Sequence, residues 1–106
     1  MQLVNQRRIG LIDRNIAMAH LVEGVCQQLG LQFYHIDTEQ FNFEMIQDLS
    51  FALVIKGEGQ ILGEDWIQGL DSKSVPMIEI GGANEGDIGT PVSPKNLRDC
   101  IQKVLG

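Results

Sequence analysis

Residues 51–56 read FALVIK, five apolar residues closed by a lysine and bounded by Ser50 and Gly57. An apolar run without polar alternation suits a strand covered on both faces, as in the interior of a parallel sheet. On its N-terminal side, residues 8–13 (RIGLID) form a second short β-rich run that ends in the polar cluster Asp13, Arg14, Asn15. On its C-terminal side, residues 75–80 (VPMIEI) form another, with Pro76 near its start, where a missing ladder donor matters least. Residues 31–36 supply a further strand, and Asp37 and Thr38 stand where they would cap a helix carrying Phe41, Met45, Ile46 and Leu49 inward.

Between these runs the spacing changes to three and four. Met18, Leu21, Val22, Val25 and Leu29 make one apolar stripe, and Gly30 marks its end. Leu62, Trp66 and Leu70 align at i, i+4 and i+8, which predicts a helix around residues 61–70 with Trp66 in the core. Ser93, Pro94, Leu97, Cys100, Ile101, Val104, Leu105 and Gly106 carry the clearest helix signal: a capping serine, a first-turn proline, an apolar face and a terminal glycine. Strands alternating with helices predict an α/β domain, a parallel sheet with helices on both faces. The 106 residues suffice for one core, so a single domain spanning 1–106 is expected.

Charge narrows the function classes. The net charge is −6, with 8 Lys or Arg against 14 Asp or Glu, which disfavours direct contact with a nucleic-acid backbone. No apolar run reaches the ~18 residues of a membrane span, and the first eight residues lack a signal-peptide core, so a cytoplasmic location without membrane contact is expected. Cys26 and Cys100 fall on apolar helix sides and read as reduced buried thiols, a redox pair being the alternative. His20 and His35 lack neighbours at ligand spacing, and Ser50, Ser72, Ser74 and Ser93 lack the context of a nucleophile. No cofactor, metal or catalytic constellation is expected.

The segments RIGLIDRN, FALVIK, VPMIEIGG and TPVSPKNLRDCIQKVL, in that order, resemble the receiver domain of two-component response regulators, whose fold is flavodoxin-like. The resemblance implies five parallel strands. It also implies a phosphoryl-accepting pocket with two acids after the first strand, an Asp ending the third, a Ser or Thr ending the fourth, and a Lys before a Pro. Such a pocket neutralises the charge of phosphoryl transfer with Mg²⁺, a hydroxyl and an ammonium group. Here Asp13 keeps the first acid, Arg14 replaces the second, Lys56 stands at the phosphoacceptor position, Gly81 at the hydroxyl position and Thr90 at the lysine before Pro91. A degenerate pocket retaining one acid is therefore expected, with two readings of its charges: Lys56, alone or with Arg14, pairs with Asp13, or these side chains are solvated at the sheet edge and couple weakly.

Two further features depart from a complete receiver. The link GGANEGD (81–87) is too short and glycine-rich for the helix between the fourth and fifth strands, so a loop is expected there and a short fifth strand near residues 88–90. That would uncover part of one sheet face beside Glu79, which alternation places with Val75 and Met77, making Glu79, Asn84 and Glu85 candidate interaction residues. Exposure of Glu79 is expected, with an ion pair or a raised pKa as alternatives. Gly57, Gly59 and Gly63 mimic a dinucleotide-binding loop, but the spacing is GxGxxxG, and Glu58 and Glu64 would face phosphate.

The function implied is a phosphorylation-independent, non-enzymatic regulatory or protein-interaction module whose partners are kinase, receiver or output domains of the same pathway. The expected host is a hybrid sensor histidine kinase. The alternatives are the N-terminal regulatory domain of a transcription regulator, or a nucleotide or small-molecule sensor at the Gly57, Gly59, Gly63 loop.

Overall fold

The computed structural model describes residues 7–83 and 86–106. Four strands, β1 (Arg8–Ile12), β2 (Gln32–Ile36), β3 (Phe51–Lys56) and β4 (Met77–Glu79), form one parallel sheet in the order β2-β1-β3-β4. The apolar run of β3 therefore lies inside the sheet, beside β1, as its composition requires. Three full helices cover the sheet: α1 (Ile16–Leu29), α3 (Glu64–Ser72) and, last in the chain, α4 (Pro94–Leu105). A single helical turn, α2 (Phe43–Ile46), runs into a 3-10 turn at Gln47–Leu49.

Local chemistry sets the helix ends. Asn15 caps α1 by accepting the Met18 N–H, and Gly30 ends it at φ 72°. Ser93 caps α4 by accepting the Asn96 N–H, with Pro94 in the first turn. On one sheet face α1 and α4 close a core of Ile9, Leu11, Leu53, Ile55, Ile78, Ile80 and Ile88 with Val22, Val25, Cys26, Leu97 and Ile101. On the other face Ile12, Ile36, Phe51 and Val54 pack with Phe43, Leu62, Trp66 and Leu70.

Three expectations are corrected. The fifth strand is absent as a strand: Ile88 makes one parallel bridge to Ile80, because glycines at 86 and 89 and the donorless Pro91 leave no run of ladder-forming residues. The second helix is one turn long, and Phe43, stacked edge-on against Trp66, replaces the expected Phe41 in the core; Phe41 is 40% exposed. An Asx turn explains the delay, since Asp37 accepts the Glu39 N–H through its side chain and the Gln40 and Phe41 N–H groups through its carbonyl. The side chains of Met45 and Ile46 lie outside the described residues. Between Glu79 and Pro94 the described residues contain no helix; Asn84 and Glu85 lie outside them.

Candidate functional site

The C-terminal ends of β1, β3 and β4 converge on one rim, where a doubly wound sheet places its ligand crevice. A cavity of about 580 Å³ opens there, lined by Asp13, Arg14, Glu58, Gln60, Thr90 and Pro91 among others. A smaller one of about 330 Å³ shares Asp13, Arg14 and Gln60 and continues toward His35, Asp37 and Glu39.

Asp13 is the most constrained residue of the rim. It follows β1 and is buried, 8% exposed, and its Oδ1 accepts the Asn15 N–H at 2.9 Å. Its carbonyl meets His35 Nε2; a carbonyl only accepts, so His35 carries the proton on that nitrogen. Gly57 donates its N–H to the Ile12 carbonyl at 2.8 Å and lies so close that a Cβ on it would stand 2.3 Å from Asp13 Oδ2. Glycine at 57 thus makes room for a carboxylate of the same chain.

Lys56 does not reach Asp13 as a partner. Its ammonium bonds Glu79 Oε1 at 2.6 Å, and Lys56 and Glu79 are registered neighbours across the β3–β4 ladder. Directly opposed side chains on one sheet face are the pairs a parallel ladder brings together, so register selects this partner. Lys56 is 15% and Glu79 39% exposed at the side chain, which makes Glu79 ion-paired instead of simply solvated. Arg14 also turns away from Asp13, to Glu39. The expected Asp13 ion pair is therefore corrected: both cations have other carboxylates.

A second acid enters the rim unforeseen. Glu58 folds back over Gly81, so that a Cβ at Gly81 would lie 2.8 Å from its Oε2; Gly81 itself has φ 76° and offers no hydroxyl. The rim thus holds two carboxylates, Asp13 and Glu58, where the sequence indicated one. Glu58 sits in a turn, whose direction no periodicity encodes. Asp87 was likewise missed: its Oδ1 accepts the Glu79 N–H at 2.9 Å and so satisfies part of the β4 edge. Thr90 is exposed and precedes a cis peptide bond to Pro91.

At the end of β3 the rim carries the ammonium of Lys56, and Gly81, after β4, offers no hydroxyl. Among the described residues no three His, Cys, Asp or Glu side chains gather at metal-binding distance, whereas Mg²⁺ asks for near-octahedral oxygen. Gly63 starts α3 without a side-chain cap, and Glu64 and Asp65 fill the first turn, where they oppose an anion. Both cysteines are free thiols; burial, with Glu23 nearby, pushes Cys26 up to about 11, and burial with Asp87 nearby also raises Cys100, which donates to the Gly86 carbonyl. No helix among the described residues is long and apolar enough to cross a membrane.

No protein-family model matches the chain, and no curated protein matches it. Solved structures do. The chain is similar to the chemotaxis response regulator CheY4 of Vibrio cholerae, with a TM-score of 0.76 and 16% identity over 95% of this chain and 100% of that one. The signal receiver domain of a LuxO repressor protein from Vibrio parahaemolyticus gives 0.70 at 15% identity, covering 95% and 91% of the two chains. The response regulator PhyR of Brucella abortus gives 0.70 at 18% identity, with 95% of this chain on 48% of that one. At such identities the likeness is one of fold: the chain has a receiver-like α/β architecture.

Proposed function

We propose that this receiver-like domain is a phosphorylation-independent regulatory module of two-component signalling, acting in the cytoplasm through contacts with kinase, receiver or output domains and without an enzymatic step or cofactor of its own. The observation that carries the reading is the Lys56–Glu79 pair. At the end of β3, where a receiver presents its nucleophilic carboxylate, this chain presents an ammonium group already bonded to the neighbouring strand. Gly81 and Thr90 add no hydroxyl and no ammonium at the other two positions. The remaining acids, Asp13 and Glu58, are held by the Asn15 N–H and over Gly81 respectively. A hybrid sensor kinase is the host this reading favours; the front of a transcription regulator is the alternative.

Incubation with acetyl phosphate and Mg²⁺ followed by intact mass spectrometry tests the reading. The mass is expected to stay unchanged. A gain of about 80 Da, one phosphoryl group, that disappears in Asp13→Asn would overturn it.

A further inference from the structure

The chain's negative charge is concentrated in one stretch. From Asp37 to Asp71 there are acids at 37, 39, 44, 48, 58, 64, 65 and 71 and a single base, Lys56, which is bonded to Glu79; the rest of the chain is close to neutral. This stretch builds the β2–α2 loop, α2, β3 and α3; Glu58 turns to the rim over Gly81, while Glu44 lies on α2 and Glu64, Asp65 and Asp71 on α3. On the α2–α3 side a groove of about 480 Å³ runs between residues 38–42 and the start of α3, with Trp66 in its lining, Asp65 on its rim and, beside it, Glu39, which Arg14 already pairs. Two apolar side chains flank it in contact with water: Ile61, 92% exposed, and Phe41, 40% exposed. Leu62, next to Ile61, is buried, so the loop has an inward apolar residue already and Ile61 serves no core.

We propose that this groove docks a positively charged amphipathic segment of a partner protein. An apolar side chain of that segment lies between Phe41 and Ile61, over the buried Trp66, and Lys or Arg residues beside it meet Asp65 with Glu44 and Glu64. Charge complementarity selects this occupant. A second copy presenting the same face would set acids against acids, and an anionic membrane or a nucleic acid would set phosphate against them. The proposal does not depend on whether the rim beside Asp13 accepts a phosphoryl group, since the groove shares only Thr38 and Glu39 with the cavity system there.

Trp66 is the chain's one tryptophan and lines the groove, so its emission reports occupancy. The probe is a synthetic helical peptide with Leu on one face and Lys on the other, and the control replaces every Lys by Glu. Saturable change of Trp66 emission is expected with the Lys peptide alone, weakening with salt. Ile61→Ser and Phe41→Ser are each expected to weaken binding about tenfold at an unchanged melting temperature, since both side chains already face solvent. Absence of saturation, indifference to both substitutions, binding to phosphatidylglycerol vesicles, or Ile61-dependent self-association in sedimentation velocity would each overturn the proposal.

Discussion

The two faces of the sheet are built differently. Under α1 and α4, Leu11, Leu53, Ile55, Leu97 and Ile101 are completely buried, and the buried strand residues on this side are apolar. On the other face, α3 and the short α2 cover Val54 and Phe51, but the β3–β4 edge carries Lys56, Glu79 and a Met77 that is 43% exposed. Where a helix packs, the strand can be apolar at every inward position. Between Glu79 and Pro94, where the described residues contain no helix, the neighbouring strand ends carry charges, and these charges neutralise each other across the ladder.

The largest expected effect contrasts the two faces directly. Leu53→Ala should cost about 3–4 kcal/mol, because it empties space that α1 and α4 enclose, whereas Met77→Ala on the open edge should cost well under about 1 kcal/mol. Urea denaturation measures both, and equal losses would erase the distinction. Alkaline pH probes the same closed face through Cys26. Its thiol keeps the proton to about pH 11 when folded, against an ordinary value of 9.0. Below pH 9 the thiol has no effect; between the two values the unfolded chain sheds a proton that the folded chain retains, so stability falls, by up to about 2–3 kcal/mol. Cys26→Ala should flatten that alkaline slope in thermal melts, and an unaltered slope would place its cause elsewhere.

At the rim, Gly57→Ala should cost about 2 kcal/mol and displace Asp13, since the new Cβ has nowhere else to go. A two-dimensional NMR spectrum should show the Asn15 amide, which donates to Asp13, among the most shifted. The smallest effect concerns the open edge itself. Lys56→Ala should cost about 1 kcal/mol, with most of it recovered in the Lys56→Ala/Glu79→Gln double variant, because the loss comes from stranding a half-buried carboxylate. A double variant no more stable than the single would show that the pair does not couple.

Much of the architecture is legible along the chain. FALVIK forms an inner strand, the residues from Ser93 to Gly106 form a capped helix, and Leu62, Trp66 and Leu70 turn inward together. These readings rest on spacing, which burial of one face enforces wherever a segment packs; α3 itself starts only at Glu64, so Leu62 reaches the core from the loop before it. The second helix was less legible, because the Asx turn at Asp37 takes residues that the apolar pattern assigns to a helix. The fifth strand shrank to one bridge for a reason visible only in outline, the glycines and proline around Ile88.

By itself, then, the amino-acid order determined the alternation of strands and helices, the lysine that closes β3 and the acidic stretch from Asp37 to Asp71. Tertiary structure decided which charge meets which. Lys56 bonds Glu79 because the β3–β4 register sets them side by side, Arg14 goes to Glu39, and Glu58 reaches back over Gly81. Ion-pair partners come from strands and turns far apart in the chain, and only the assembled sheet fixes the distances on which their attraction depends.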